Sequence, residues 1–156
     1  MTSFDMVSHK FQLRAAAIFV WRGAVLLHRL QDDEFWALPG GRVEPGEVAA
    51  TTLVREMREE LDAEVTCGPL TYVVENFFED RGKLNHEIGF YFRATFDVSS
   101  KLLDATRSHI GVEGERRLEF RWFPLAQLTE IDLRPSFLQQ SLADPALQFK
   151  HVVQQG

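Results

Sequence analysis

The sequence is poor in cysteine and contains no apolar run long enough to cross a membrane. Cys67 is its single cysteine, so the chain can form neither an intramolecular disulfide nor a cysteine zinc site. We interpret its thiol as a small buried hydrophobe, which fits a reducing cytoplasm. Residues 15–21 are apolar but too few for a membrane span, and Arg22 follows them without a small-residue cleavage signal. We therefore expect a cytoplasmic protein without a membrane segment.

Runs of basic residues are also missing. The chain has 17 Lys and Arg against 23 Asp and Glu, which gives a formal net charge of −6. A groove for a nucleic-acid polymer needs clustered positive charge, so such a partner is disfavoured, whereas a small nucleotide is not. The 156 residues, 45% hydrophobic and 26% charged, are ordinary for one globular domain. We expect a single domain over residues 1–156, and a homodimer remains open.

Residues 48–61 have the spacing of an amphipathic helix. Apolar residues recur there at every third or fourth position, which gathers them on one face that we expect to meet a core. These residues are Ala50, Leu53, Val54, Met57 and Leu61. On the same helical wheel Glu56 and Glu60 lie at one edge of the apolar face, with Glu59 beside them. Three carboxylates therefore share one flank of the helix.

Like charges four residues apart on a helix repel one another, by roughly 0.2–0.5 kcal/mol when they are exposed. A divalent cation would remove this repulsion. Carboxylate oxygens are hard ligands, which suit magnesium, manganese or calcium rather than zinc. The alternative interpretation is a solvated acidic helix face without any ligand.

The residues around this helix resemble the signature of the MutT-like Nudix hydrolases, G-x5-E-x7-R-E-U-x-E-E-x-G-U, in which U is an apolar residue. The identities with this pattern are Gly41, Glu47, Arg55, Glu56, Glu59 and Glu60. Met57 and Ala63 fill the apolar positions, and the Leu-Pro-Gly-Gly of residues 38–41 resembles the usual lead-in. Asp62 stands where the pattern has its last glycine. Asp tolerates the left-handed conformation better than most residues, so we expect a small local cost and an intact site.

The resemblance implies an α/β/α sandwich with a central mixed β-sheet. It also implies hydrolysis, with Mg²⁺ or Mn²⁺, of a nucleoside diphosphate linked to another moiety, by attack of water on phosphorus. The metal ligands that it implies are Glu56, Glu60, Glu59 and the backbone carbonyl of Gly40 or Gly41. Glu59 is alternatively the base, and Glu47 supports the glycine loop. Arg55 lies one turn before Glu59, within reach of an ion pair that would orient the site.

The substrate is harder to read from the sequence. We assign Arg29, Gly40 and Arg42 as phosphate or backbone contacts and Trp36 as a surface on which a base stacks. Each assignment has a structural alternative, because arginines on strands are commonly solvated and aromatic residues on strands commonly belong to the core. Further weak candidates are Phe77, Phe78, Tyr91, His28, His86 and His109. ADP-ribose, other nucleotide sugars, dinucleoside polyphosphates and oxidised nucleoside triphosphates all remain open.

An acid from outside the motif is expected to orient or deprotonate the attacking water. The segment Val112-Glu113-Gly114-Glu115 carries two acids around a glycine and closes the longest irregular stretch, residues 98–114. We favour Glu115 over Glu113 because it stands nearer the following strand. A solvated acidic turn is the alternative.

Two other classes of function remain. A Nudix-like domain can be a non-catalytic nucleotide sensor, but such a module has no need to keep every carboxylate of the motif. Isopentenyl diphosphate isomerase uses the same fold, and the resemblance to it requires Cys67 to lie in the active site.

The remaining elements follow from apolar alternation and turn residues. The predicted strands are residues 13–21, 24–30, 35–38, 63–68, 70–78, 85–96 and 118–123. We expect a hairpin between the first two strands, a turn at residues 80–83, short helices at 125–128 and 136–143, and a disordered tail from about residue 148. Gly46 is expected to cap the motif helix, with Glu47 in its first turn.

Overall fold

The computed structural model describes residues 8–144 and 146–156, and within them the chain forms two β-sheets flanked by helices. Its strands are β1 His9–Ile18, β2 Val20–Trp21, β3 Ala24–Leu30, β4 Gly40–Arg42, β5 Val65–Asp80, β6 Lys83–Phe96, β7 His109–Glu113, β8 Arg116–Pro124 and β9 Lys150–Gln155. Its α-helices are α1 Ala49–Leu61 and α2 Leu138–Ser141, and 3-10 turns span Lys101–Leu103 and Leu125–Glu130. The predicted domain, 1–156, also includes residues 1–7 and Pro145, which lie outside the described residues.

The larger sheet is mixed. Its strand order is β4-β1-β6-β5-β9, with β1 parallel to β6 and β5 parallel to β9. The remaining pairs in this sheet are antiparallel. A second, antiparallel sheet has the order β2-β3-β8-β7. The expected central mixed sheet is confirmed.

Side chains that alternate along β1 enter two different cores. Ala15 and Ala17 pack in the same apolar cluster as Leu53 and Met57 of α1. The neighbouring Ala16 and Ile18 join a second cluster, which contains Leu128 and Leu138 from the C-terminal 3-10 turn and α2. Successive residues of a strand point to opposite faces, so one strand links the two layers. Helices therefore cover both sides of the sheet, as the α/β/α prediction requires.

The predicted N-terminal hairpin is correct only at its turn. Arg22 and Gly23 both have positive φ, 50° and 76°, which suits the two-residue turn that joins β2 to β3. β1, however, ends at Ile18 and pairs with β4 and β6 rather than with β3. The chain changes sheets at Phe19. The sequence does not predict this change, because an alternating pattern does not state which strand is the partner.

Other expectations also need correction. Residues 35–38 form isolated bridges, His28 to Ala37 and Trp36 to Leu133, instead of a strand. Residues 63–68 and 70–78 merge into the continuous β5, which carries irregularities near Leu70. The stretch 98–114 is not an irregular loop, since it contains a 3-10 turn and β7.

The C-terminal tail is ordered, contrary to the prediction. Lys150–Gln155 forms β9, which pairs in parallel with β5 from Tyr72 to Phe77. This pairing joins segments that are distant in sequence, and the polar composition of the tail gives no local signal for it. The last predicted strand, 118–123, is confirmed as part of β8 but is not the last strand of the chain.

Helix α1 begins one residue later than predicted. Val48 is its N-cap residue, without a side-chain hydrogen bond, and Gly46 and Glu47 precede the helix instead of capping it or lying in its first turn. The buried residues of α1 are Thr52, Leu53, Met57 and Glu60. The buried face is thus rotated from the predicted one, because Ala50, Val54 and Leu61 are only partly covered. This rotation carries Glu60 into the protein.

Helix α1 ends at Asp62, whose φ of 52° and ψ of 41° are left-handed, as predicted. The Asp62 N–H donates to the Arg58 carbonyl at 3.0 Å, and the Ala63 N–H donates to the Met57 carbonyl at 3.3 Å. Asp62→Gly keeps these bonds and relieves the left-handed strain, while glycine adds entropy to the unfolded chain. We expect the free energy of unfolding, measured by urea denaturation, to be unchanged or raised. A loss of more than about 1 kcal/mol would contradict this account.

Among the described residues, no helix is both long enough and apolar enough to cross a membrane.

Candidate active site

Arg55 links the carboxylates of the motif. Its Nε donates to Glu47 Oε2 at 2.7 Å, and its Nη2 donates to Glu47 Oε1 at 2.9 Å. Its Nη1 donates to Glu56 Oε1 at 3.0 Å and to Glu59 Oε2 at 3.1 Å. The predicted ion pair between Arg55 and Glu59 is therefore confirmed. These bonds, above all those to Glu47, raise the pKa of Arg55 above its ordinary value, so the guanidinium stays charged.

Glu47 joins the glycine loop to the helix. Besides Arg55 it accepts hydrogen bonds from Thr52 Oγ1 at 2.7 Å and from the backbone N–H of Glu44 at 3.2 Å. The bonds from Arg55, followed by the bond from Thr52, lower the pKa of Glu47 to about 2. This arrangement agrees with the supporting role that the motif resemblance implied.

The stabilisation that Glu47 provides depends on pH, because its pKa is lowered in the folded protein. The pKa of Glu47 falls from 4.5 to about 2 on folding, so its stabilising effect is complete above about pH 4.5 and is lost as the pH falls through about 2. We expect Glu47→Gln to lower the melting temperature at pH 7, and the difference from wild type to disappear near pH 2. Circular dichroism melts from pH 2 to 7 measure this, with the exposed neighbour variant Glu44→Gln as the control. A difference that does not change with pH would assign the effect to packing rather than to charge.

Glu60 is a buried carboxyl, 5% exposed. Burial, together with the adjacent carboxyl of Glu56, raises the pKa of Glu60 to about 10. Its Oε1 has no hydrogen-bond partner in the described structure. The nearest basic atom is Nδ1 of His28 at 3.9 Å, which also lacks a partner. Burial, with Arg14 nearby, lowers the pKa of His28 to about 3, so the imidazole is neutral and does not neutralise Glu60.

The glycine loop approaches the carboxylates closely. A Cβ atom on Gly41 would lie 2.2 Å from Cδ of Glu56, so a larger residue there would displace the Glu56 carboxyl. The backbone of β4 therefore runs directly beside the Glu56 carboxyl. Gly40 is constrained more firmly, since a Cβ there would lie 2.0 Å from the backbone carbonyl oxygen of Ala15.

These residues fit a divalent cation of the hard class. Glu60 offers a buried oxygen without a partner, Glu56 lies against it, and the Gly41 backbone is adjacent. A cation would stabilise the charged form of Glu60, which burial and Glu56 now oppose. Over residues 8–144 and 146–156 no three acidic, histidine or cysteine side chains are already grouped as ligands. Glu56 and Glu59 are instead held by Arg55.

Comparison with known proteins identifies the family. A family model of the NUDIX domain matches residues 11–143. The chain belongs to the Nudix hydrolase family. The Nudix motif of residues 41–63 thus lies within a match that extends across most of the chain, including β7, β8 and α2.

Individual relatives of this Nudix protein are moderately similar to it. It is 41% identical over 75 residues to the CTP pyrophosphohydrolase of Escherichia coli strain K12, an alignment that covers 46% of this chain and 54% of that protein. The chain therefore spans about half the length of this curated relative. A Nudix hydrolase from Nitrosomonas europaea has a similar structure, with a TM-score of 0.63, 22% identity, and coverage of 91% of this chain and 77% of that one. The MutT protein of Bacillus halodurans gives a TM-score of 0.65 at 21% identity, over 90% and 86% of the two chains. These two structures support the fold.

Beside the Nudix motif lies a cleft of about 980 Å³. The predicted contacts Arg29, Gly40 and Arg42 line it, together with Gly41, which the motif resemblance implied as a ligand. The cleft is also lined by residues that the sequence did not single out as a group, namely Arg14, Gln12, Asn76, Glu87, Phe78 and Tyr91. Its volume lies within the range of small-molecule sites.

The structure assigns Trp36 to the core rather than to the cleft. Its side chain is 5% exposed and packs edge to face on Phe123, with ring centroids 4.7 Å apart. The Arg29 guanidinium lies over its ring, 4.5 Å from the centroid. Because this ring face is covered, the expectation that a base stacks on Trp36 has no support from the geometry. Arg29 is also paired with Glu119 at 3.0 Å.

Glu113 is better placed than Glu115. Glu113 ends β7, lines the cleft, and contributes to the raised pKa of Glu60. Glu115 lies in the exposed turn between β7 and β8 and is absent from the lining of the cleft. The reason is the path of β7, since a Cβ on Gly111 would lie 2.5 Å from the carbonyl of Glu60. The strand thus passes against the end of α1 and places Glu113, rather than the expected Glu115, in the lining of the cleft.

Some of the other candidates for substrate contacts line the cleft, and the others pack elsewhere in the fold. Phe78, Tyr91 and His28 line the cleft. Phe77 instead stacks on His86, with centroids 4.5 Å apart. The ring nitrogen Nε2 of His109 is 2.8 Å from the Asp104 carbonyl. The sequence did not predict that His28 lies close to Glu60, because no local pattern connects β3 to α1.

Cys67 lies on β5 opposite Ala94 and packs against the cluster beneath α1. It does not line the cleft. Burial raises the pKa of its thiol, so it is a poor nucleophile at neutral pH. The packing agrees with our interpretation of Cys67 as a small hydrophobe, but its side chain is only partly buried and not buried as expected.

Proposed function

We propose that this Nudix protein hydrolyses a diphosphate linkage in a nucleoside diphosphate derivative or nucleoside triphosphate, with Mg²⁺ or Mn²⁺ as cofactor. The observation that carries the proposal is the buried Glu60 carboxyl beside Glu56, with an oxygen that has no hydrogen-bond partner among residues 8–144 and 146–156. Such a pair is costly unless a cation accompanies it. The similarity to a CTP pyrophosphohydrolase supports the same class of reaction.

The ligands that would hold the cation are Glu56, Glu60 and the Gly41 carbonyl, with Glu59 as a further ligand. A divalent ion in this place supplies charge neutralisation at phosphate oxygens and lowers the pKa of bound water. Glu59 is exposed over 58% of its side chain, so it can turn towards a ligand at small cost. Arg55 restrains both Glu56 and Glu59, and so acts as a positioning residue.

Arginines of the cleft would bind the phosphates. Arg14 and Arg42 face each other in the pairing of β1 with β4, and both line the cleft. Arg14 Nη2 donates to the Leu38 carbonyl at 2.7 Å, which orients the guanidinium beside the glycine loop. Guanidinium groups bind phosphate oxygens through paired hydrogen bonds. The water that attacks phosphorus would give its proton to Glu113, the acid that β7 brings to the site.

A panel of substrates tests the reaction class. Purified protein with Mg²⁺ is incubated with CTP, ADP-ribose, a nucleotide sugar, a dinucleoside polyphosphate and an oxidised guanosine triphosphate, and the products are separated by chromatography. We expect Mg²⁺-dependent cleavage of at least one diphosphate, with ¹⁸O from labelled water in a phosphorus-containing product. Absence of cleavage across the panel with Mg²⁺ or Mn²⁺ would overturn the proposal.

The two alternatives predict different results. A nucleotide-sensing module would bind members of the panel without turnover. An isopentenyl diphosphate isomerase would release no phosphate product, and Cys67, on which that alternative depends, lies away from the cleft. For the remaining assignments we propose a small nucleotide as the partner, no nucleic-acid polymer, and a cytoplasmic location, with a homodimer left open.

A further inference from the structure

A row of polar side chains crosses the floor of the cleft. The strand registers place Gln12 of β1 opposite Glu87 of β6, Glu87 opposite Asn76 of β5, and Asn76 opposite Gln154 of β9. Side chains at paired positions of neighbouring strands point to the same face of a sheet. All four line the cleft. The row therefore extends across four adjacent strands of the mixed sheet.

The row is unusual because its two central residues are buried, whereas Gln12 and Gln154 at its ends are partly exposed. Glu87 is 5% exposed and Asn76 is 8% exposed, whereas the next pleat on the same face holds the apolar Val74. Placing a carboxylate and an amide in a buried floor costs free energy unless hydrogen bonds compensate it. The row is thus better suited to a polar ligand than to packing.

Part of the hydrogen-bonding capacity of the row is unused. Gln12 Nε2 donates to Glu87 Oε2 at 2.6 Å, and Gln154 Oε1 accepts from the Phe137 N–H at 3.1 Å. Among the described residues, no donor contacts the other oxygen of Glu87, and the Asn76 amide makes no side-chain hydrogen bond. A carboxyl oxygen that can accept a hydrogen bond and an amide that can donate one therefore lie side by side.

The position of the row relative to the phosphate site suits a nucleoside. Gln12 is two residues before Arg14 on β1, a separation of about 6.6–6.8 Å along a strand. Arg14 in turn lies close enough to Glu60 to influence its pKa. A ligand with its phosphates at Arg14 would therefore extend its base towards Glu87. Phe78, one pleat further along β5, also lines the cleft and offers an apolar surface there.

We propose that Glu87 and Asn76 recognise a nucleobase that carries an exocyclic amine next to a ring nitrogen, as cytosine and adenine do. This inference rests on the proposed function and deepens it. The amine donates to Glu87, and the Asn76 amide donates to the ring nitrogen. Uracil fits less well, because its ring N–H lies between two carbonyl oxygens. A carboxylate that accepts from that N–H brings negative charge against one of these oxygens.

Equilibrium binding tests the base preference independently of hydrolysis. Isothermal titration of the whole protein with CMP, UMP, AMP and IMP compares each amine-bearing nucleotide with its keto counterpart. We expect the wild type to bind CMP about tenfold or more tighter than UMP, or AMP to the same extent more tightly than IMP. The two pairs distinguish a pyrimidine site from a purine site.

The Glu87→Gln variant tests whether the row of polar side chains causes the base preference. Glutamine keeps the size of the side chain and can donate to a keto oxygen, so the ratio for the preferred pair should fall to about threefold or less. Asn76→Ala is a second variant, which should weaken binding of CMP or AMP more than of UMP or IMP. The control is Glu75→Gln, since Glu75 lies outside the cleft and pairs with His151 at 2.7 Å, and it should keep the wild-type ratio.

The outcomes separate this inference from the proposed reaction. Equal affinities within both pairs, failure of all four nucleotides to bind, or an unchanged ratio in both Glu87→Gln and Asn76→Ala would overturn the inference. Hydrolysis of nucleotides together with equal affinities within both pairs would overturn it while leaving the hydrolase intact. Selective binding of CMP or AMP without hydrolysis of any nucleotide would support the base site and overturn the hydrolase.

Discussion

Glu60→Gln is expected to reduce Mg²⁺-dependent turnover by about 100-fold or more while leaving the fold intact. Glutamine keeps the shape of the side chain but cannot supply a negative charge to the cation. Burial and Glu56 already raise the pKa of Glu60 to about 10, so the metal-free site favours a neutral group. We therefore expect the melting temperature of the metal-free variant to be equal to or above that of wild type.

A readout other than activity accompanies this experiment. Mg²⁺ or Mn²⁺ should raise the melting temperature of the wild type, because a ligand that binds only the folded state stabilises it. The rise should be lost in Glu60→Gln. Glu64→Gln is the matched control, since Glu64 is 72% exposed and pairs with Arg58. Near-normal Mg²⁺-dependent turnover in Glu60→Gln would contradict the metal assignment.

Glu113→Gln is expected to lower kcat by about 10²–10⁴-fold with little change in KM, the range typical of a general base. The residue lines the cleft at the end of β7, which packs against the last turn of α1 through Gly111. If Glu113 is the base, its loss removes proton acceptance in the transition state, which lowers kcat more than it changes KM. The difference in kcat from wild type should be largest near neutral pH, where the uncatalysed attack of water is slow.

The same hairpin provides the control. Glu115→Gln changes an acid of the same type two residues away, in the exposed turn outside the cleft, and should retain wild-type kcat. A large loss of kcat in Glu115→Gln with normal kcat in Glu113→Gln would assign the base role to Glu115. Unchanged kcat in both variants would move the role to Glu59, which is the next residue to test by Glu59→Gln.

Elements whose cause is local were predictable. The apolar spacing of α1, the left-handed Asp62 at its end, and the turns at Arg22-Gly23 and Arg81-Gly82 follow from interactions within a few residues. The ion pair between Arg55 and Glu59 is likewise a consequence of helical spacing. For the same reason the family and the mixed-sheet fold could be read from one contiguous motif.

The rest of the site depends on contacts between distant segments. Trp36 has an aromatic side chain of the type that stacks on bases, but Phe123 and Arg29 pack around it and it belongs to the core. Glu115 is nearer than Glu113 to the start of β8 in the sequence. Because β7 passes close to α1, however, Glu113 lines the cleft and Glu115 does not. β9 had no local signal because its partner, β5, lies about half the chain away.

The sequence by itself determined the carboxylate helix, its glycine loop and its left-handed end, because helix periodicity and backbone sterics act over neighbouring residues. Only the tertiary structure decided that Glu60 is buried beside His28 and that Gln12, Glu87, Asn76 and Gln154 meet in one row. Strand alternation states which residues share a face, but the partner strand and its register are set by burial of the whole sheet. The chemical groups of the motif are therefore set by residues close together in the sequence. The cleft that selects a substrate, in contrast, forms only when β1, β5, β6 and β9 pair.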